Sequence, residues 1–223
     1  MARVITLVLE AATYVGSVAL LDGVRLLGER TVAMRGREHE ALMPATAALL
    51  EECGVAPTAL ARVVCGAGPG SFTSLRIAGG IAKGLALAAG LPLVPVSSLA
   101  LLVASQTTLA PGRYLAAIDA LRGEHYVALY EVGADLEVRA LTATRLVPSP
   151  AVLAAAQEHG AHVVGPGQAD RSVDPHARAA ARLTALIDAT PPADLAGWEP
   201  AYGRLAEAQV KWEATHGRPL VVP

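Results

Sequence analysis

The stretch CGAGPGSFTSLRIAGGIAKGLALAAG, Cys65–Gly90, decides the fold. The apolar run ARVVCG leads into it, as a buried strand does. Gly66, Gly68 and Gly70 then permit positive φ and the close approach of another group. Ser71 or Thr73 is a natural helix cap, and the free N–H groups beside it would attract an anion. Arg76 and Lys83 lie on or near the helix that follows. Yet no Lys follows the glycines as in GxxxxGK[ST]. Pro69 and Phe72 also interrupt any dinucleotide-type GxGxxG. The loop therefore reads as a structural turn ahead of a phosphate cradle. The helix carries Ala78, Gly79, Gly80, Ala82 and Gly84. Each interior glycine costs about 1 kcal/mol relative to alanine. Another backbone approaching closely, from within the fold or from a partner chain, is the expected compensation.

Working outward, the chain reads as one architecture used twice. RVITLVLEA, YVGSVALLDG and VRLLGERTVAM form a three-strand meander with a turn at Asp22-Gly23. REHEALMPATAALLEECG takes a helical rhythm stopped by Gly54, and Pro44 marks either its start or a kink. After the central helix come a strand, LPLVPV, and a helix capped by Ser97 or Ser98. The second half restarts with RYLAAIDA and EHYVALYEV as a hairpin around Gly123, and LEVRALTATRLV as a third strand. SPAVLAAAQEHG and PHARAAARLTALIDA read as helices, with the strand AHVVGPG between them, and GRLAEAQVKWEATHG as a closing helix. The order predicts an α/β fold of two lobes with mixed sheets flanked by helices. The lobes are expected at 1–107 and 108–223, with the closing helix, about 203–216, packing back on the first.

Composition narrows the function. The 223 residues are 53% hydrophobic and 17% charged, which is a globular balance. Lys and Arg number 18 against 20 Asp and Glu, with no basic stripe, so strong direct binding to nucleic acid is not expected. Cys53 and Cys65 form no CxxC and read as buried small hydrophobes in a reducing compartment. The uncharged run Gly84–Ala104 is broken by Gly90, Pro92 and Pro95, so it does not read as a membrane span. MARVITLVLEAATYVG lacks the pattern of a signal peptide. A cytoplasmic protein without a membrane partner is expected.

The motifs GPGSFTSLRIAGGIAKGLALAAGLPLVPVSSL, REH at Arg37–His39, LAAIDALRGEHYVALY and EPAYGR occur in the order of one known family. The chain resembles the bacterial TsaB family, also called YeaZ. That resemblance implies an actin-like ATPase (ASKHA) type fold. It also implies a subunit of the machinery that makes N6-threonylcarbamoyladenosine beside the anticodon of ANN-decoding tRNAs. The implied partners are a TsaD-like catalytic paralogue and a TsaE-like ATPase, with tRNA met only through the complex. A homodimer of the free chain stays open. The resemblance further implies that the helices after REH and after GPGSF form a docking surface. On it Arg37, His39, Met43, Ser71, Phe72, Thr73, Arg76, Ala78, Gly80 and Lys83 are the expected interface residues.

The residues themselves support a scaffold reading, with no catalytic residue, metal or cofactor of the chain's own. A metal-holding helix needs two His at i and i+4, and here His39 is followed by Met43, whose thioether suits a hard or borderline ion poorly. Glu10 stands where the family carries Asp, and Ala11 where Thr is usual. Asp119, Glu124 and His125 cluster at a hairpin turn, where solvated charges are ordinary. Ser71 has no adjacent His and no GxSxG elbow. The alternative is a self-sufficient ATPase or phosphotransferase using Glu10 and the glycine loop. A peptidase is a third reading, without a triad, dyad or zinc motif to support it.

Overall fold

The computed structural model describes residues 4–36, 39–203 and 215–217. Its first sheet has the order β3-β2-β1-β4-β5. These strands are β1 Ile5–Glu10, β2 Val15–Asp22, β3 Arg25–Ala33, β4 Arg62–Gly66 and β5 Leu93–Val96. The first three form an antiparallel meander, and β1, β4 and β5 run parallel. The second sheet repeats the plan as β8-β7-β6-β10-β11, with a further strand, β9, also on β7. Its strands are β6 Gly112–Asp119, β7 Glu124–Val132, β8 Val138–Ala140, β9 Arg145–Pro148, β10 His162–Gly165 and β11 Arg171–Ser172. The mixed α/β fold expected from the sequence is thus present, and its doubling is visible in strand order.

Alternation along the strands stacks five layers. Leu7, Leu9, Val18 and Leu20 face helices α1 (Leu42–Glu52) and α2 (Phe72–Ala89) on the outside of the first sheet. Val8, Ala19 and Leu21 face the opposite way, into a core shared with Tyr114, Ala116 and Ile118 of β6. Leu115 and Ala117 then face out toward α4 (Val152–Gln157). Successive side chains on opposite faces of a strand make one sheet serve two cores. The middle layer holds α3 (Ser98–Ala104), whose seven residues are all buried. Its burial explains why the uncharged run Gly84–Ala104 ends in seven apolar or small residues, and among the described residues no helix is long and apolar enough to cross a membrane.

Several element boundaries differ from the sequence expectation. The first helix begins at Leu42, so Pro44 lies in its first turn, where a missing N–H breaks no helical bond. The Glu40 carboxylate accepts the N–H groups of Leu42 and of Met43 there. Gly54 stops α1 at φ 62°, and Gly90 stops α2 at φ 64°. The third strand of the second half splits into β8 and β9. The helix expected over PHARAAARLTALIDA breaks into a 3-10 helix, Ala177–Arg182, and α5, Thr184–Ala189. Arg182 ends the first piece by donating to the carbonyls of Ala104 (2.7 Å) and Gln106 (2.6 Å). Most of the closing helix expected near 203–216 lies outside the described residues.

Candidate functional site

The glycine loop between β4 and α2 is filled by the chain's own atoms. The Ser71 N–H, at the cap of α2, donates to the carbonyl of Ala12 across 2.7 Å. A Cβ on Gly70 would collide with that same carbonyl. A Cβ on Gly68, whose φ is +86°, would meet the carbonyl of Ala201, and one on Gly66 would meet the Glu10 carboxylate. The three glycines are there for close approach, and what approaches is protein. The Ser71 hydroxyl bonds the Ser74 hydroxyl (3.0 Å) and caps no N–H of the helix, while the Ser71 N–H itself goes to Ala12. An anion at this helix end would find the Ser71 N–H already taken by a carbonyl, one of the few donors that a helix start offers.

Beneath the loop lies Glu10, which is fully buried. Its Oε1 accepts the Ala12 N–H at 2.5 Å, and its Oε2 accepts the Ser98 hydroxyl at 2.9 Å. Burial lifts its pKa to about 7, against the lowering pull of the bonds from Ala12, Ser98 and Ala11. The Cys65 thiol beside it is pushed up by burial and by the Glu10 charge. A carboxylate so enclosed has neither oxygen turned toward solvent, where a hydrated magnesium ion would have to meet it.

Helices α1 and α2 lie side by side over the first sheet, and between them they carry the residues expected at the docking surface. His39, Met43, Thr73, Arg76 and Gly80 are exposed; Ser71, Phe72 and Lys83 are half-buried. Arg37 lies outside the described residues. Ala78 is fully buried in the core beneath α2, so it faces the sheet and not the surface. The small residues of α2 thus divide. A Cβ on Gly79 would lie 3.0 Å from the Pro200 ring, while among the described residues nothing lies within 4 Å of one on Gly80 or Gly84. Together with Thr73, Arg76 and the 64% exposed Leu87, these two glycines form a stripe at helical spacing.

The segment 193–202 is the part of this region that sequence reasoning missed. It crosses α2 and returns to the glycine loop. Lys83 Nζ donates to the Trp198 carbonyl (3.0 Å), and the Ala201 N–H donates to the Ala67 carbonyl (2.7 Å). Tyr202 packs on Phe72 with ring centroids 4.6 Å apart, and the Arg76 guanidinium covers Phe72 at 4.7 Å. The motif EPAYGR was the available signal, but only as a resemblance.

The remaining candidates are engaged elsewhere. Asp119 Oδ1 accepts the Leu121 N–H within its own hairpin turn. His125 Nδ1 lies 3.0 Å from Ser149 Oγ, and its Nε2 lies 3.2 Å from the Gln168 amide nitrogen. With that amide donating, the ring proton sits on Nδ1 and points at Ser149, so the imidazole cannot accept the serine proton. Among the described residues no group of three or more His, Cys, Asp or Glu side chains converges as metal ligands would.

Comparison with known proteins follows the same line. Residues 33–164 match the family described as "TsaD: tRNA N6-adenosine threonylcarbamoyltransferase". The chain is 33% identical to the tRNA threonylcarbamoyladenosine biosynthesis protein TsaB of Bacillus subtilis (strain 168) over 130 residues, 56% of this chain and 54% of that one. It is 36% identical to an uncharacterized protein of Mycobacterium tuberculosis (strain ATCC 25618 / H37Rv) over 188 residues, 82% of this chain and 83% of that one. Among solved structures it resembles YeaZ from Pseudomonas aeruginosa, with a TM-score of 0.72 and 27% identity over 89% of this chain and 99% of that chain. The chain spans about half the length of the curated TsaB relatives it matches.

Proposed function

Since this chain belongs to the TsaD family and is similar to proteins named TsaB and YeaZ, we propose that it is a non-catalytic subunit of the complex that makes tRNA N6-threonylcarbamoyladenosine. In this reading it activates a TsaD-like transferase through α1 and α2, and a TsaE-like ATPase joins the pair. The modified adenosine lies beside the anticodon of ANN-decoding tRNAs, and this chain meets tRNA through the complex.

One observation carries the reading. Helix α2 closes its amino end on Ala12 while leaving Gly80 and Gly84 open to solvent. A helix that gives up about 1 kcal/mol per interior glycine and packs none of the described residues against two of them fits a surface shaped for another backbone. The docking residues are then His39, Met43, Thr73, Arg76 and Gly80 at the surface, with Arg37 beside them in sequence. Ser71, Phe72 and Lys83 support the helix from its edges, and Ala78 from its buried side. As part of the same reading the lobes divide at 107/108; confinement of the first sheet to 5–96 and the second to 112–172 supports that division.

The enzymatic alternative is a self-contained ATPase or phosphotransferase built on Glu10. The enclosure of both Glu10 oxygens weighs against it. The discriminating experiment is reconstitution. A TsaD-like protein, a TsaE-like ATPase, the synthase of the threonylcarbamoyl-AMP adduct and an ANN-decoding tRNA are combined with and without this chain, and nucleoside mass spectrometry reads the product. Modification that requires the chain, with none made by the chain alone, is the expected result. Equal modification without it overturns the proposal. ATP turnover by the pure chain, lost in Glu10→Ala, would establish the alternative.

A further inference from the structure

A buried acid needs a reason, and the bonds around Glu10 supply one. Its two oxygens hold the two ends of the glycine loop. Oε1 accepts the Ala12 N–H, and the Ala12 carbonyl in turn accepts the Ser71 N–H at the start of α2. Oε2 accepts the Ser98 hydroxyl; that hydroxyl oxygen accepts the Gly68 N–H at 3.1 Å, and the Ser98 N–H donates to the Gly68 carbonyl at 2.9 Å. One carboxylate is therefore tied to Gly68 through Ser98 and to Ser71 through Ala12.

The tie depends on charge. As a carboxylate Glu10 only accepts, and every donor around it is satisfied. A proton on Oε2 turns that oxygen into a donor toward Ser98. The Ser98 hydroxyl hydrogen then loses its acceptor, and the hydroxyl oxygen must serve Glu10 and Gly68 together. A proton on Oε1 replaces the anionic acceptor of the Ala12 N–H with a weaker neutral one. Either placement loosens one arm.

We propose that Glu10 is the positioning residue for the amino end of α2: its ionised carboxylate clamps the glycine loop, and its protonation releases it, so that the docking helix is set by pH. The functional consequence rests on the docking reading above; the clamp itself does not. Glu10 titrates at about 7 because burial opposes its charge. The groups facing it are few. From β4 comes the Cys65 thiol, kept neutral by burial and by Glu10 itself. From β2 comes Ser17, its partner across the strands; from α3, Ser98; and from the loop, Gly66. None of these carries a charge that would take over the titration.

The test is amide hydrogen exchange on the full chain, read by NMR at Gly68 and Ser71 and corrected for the intrinsic pH dependence. Samples are compared roughly one unit below and above the Glu10 value of about 7. Wild type is expected to gain about tenfold protection at both amides on going to the higher pH, the order of a bond to a charged acceptor, through a local release that leaves Glu10 buried and so runs opposite to the change in global stability over the same window. Glu10→Gln, of nearly the same shape but unable to ionise, is expected to hold both at the lower level throughout. Ser98→Ala separates the arms: Gly68 should lose its pH step and Ser71 keep it, a result that stands even where Glu10→Gln does not fold. No pH step in wild type, or the same step in Glu10→Gln, overturns the clamp. Affinity for a TsaD-like partner is measured on the same samples. An exchange step without binding at either pH supports the clamp and overturns the docking reading. Binding without an exchange step does the reverse.

Discussion

The amide of Ser71 donates to the carbonyl of Ala12 across 2.7 Å, and that bond ties the first strand turn to the central helix. It takes one of the donors that a phosphate would seek at a helix start. The glycines that suggest a phosphate loop are needed because Ala12, Ala201 and Glu10 come too close for any side chain. A loop of this shape can be a joint without being a binding site, and the joint lies directly under the helix presented to the outside.

Substitutions in the joint test its tightness. Gly70→Ala places a methyl group against the Ala12 carbonyl, and Gly66→Ala places one against the Glu10 carboxylate. Neither neighbour is the free end of a flexible chain. Each variant is expected to lose roughly 1–3 kcal/mol, the range for overpacking a filled core. Gly123→Ala, at a hairpin turn with φ 76° and nothing within reach, should lose about 1 kcal/mol or so from backbone strain alone. Urea denaturation midpoints rank the three.

Glu10 makes a prediction about stability and pH whose sign is opposite to the usual one for a carboxylate. Its folded pKa, about 7, lies above the ordinary value of 4.5. The unfolded chain therefore releases this proton first as pH rises. The stability linked to Glu10 is fully present below about 4.5 and falls as pH rises to about 7, by about 3 kcal/mol over that window. Other carboxylates add their own slopes, so the quantity to measure is the difference between wild type and Glu10→Gln. That difference should change across the window and be flat above it. A constant difference throughout would show that Glu10 titrates normally.

Tyr202 carries a third prediction. Its ring packs on Phe72 at 4.6 Å, and Phe72 is covered on another side by Arg76. Removing the ring by Tyr202→Ala should cost about 1 kcal/mol beyond its lost buried area. It should also open the segment that crosses α2. Limited proteolysis is the measurement: faster cleavage between 191 and 203, with the remainder of the chain resistant, is the expected pattern.

What the sequence made legible follows from which interactions were local. Strand alternation, the stops at Gly54 and Gly90 and the doubled order of elements rest on short-range rules, and these features are found where the pattern put them. The 3-10 helix at Ala177–Arg182 was read as α-helix because alanines favour helix; the bonds from Arg182 to the end of α3 lie far away in sequence and decide its ending. The sealing of the glycine loop was illegible for the same reason. Two of its three partners are main-chain carbonyls of alanines, and a carbonyl leaves no mark in the residue type; the third, the Glu10 carboxylate, lies 56 positions before Gly66 in the chain. The side of α2 on which each small residue lies was a matter of helix phase, and Ala78 falls on the buried side.

That phase gives a sharp test of what α2 is for. Gly79 and Gly80 are adjacent, and each costs the helix about the same relative to a better helix former, roughly 1 kcal/mol. They differ in what lies beside them among the described residues: the Pro200 ring at 3.0 Å for Gly79, and nothing within 4 Å for Gly80. Gly79→Leu should lose roughly 1–3 kcal/mol of stability by pushing the 193–202 segment off the helix. Gly80→Leu should leave stability unchanged or raise it by up to about 1 kcal/mol, because the added side chain enters solvent and the helix gains propensity. If α2 docks a partner, Gly80→Leu should weaken that binding at least tenfold even though the free chain is no less stable. Thermal denaturation of the free chain and titration calorimetry with a TsaD-like protein measure the two effects separately. Loss of stability in Gly80→Leu would mean that a segment of this chain covers the glycine. Unchanged affinity in a stable Gly80→Leu would mean that partners dock on another face.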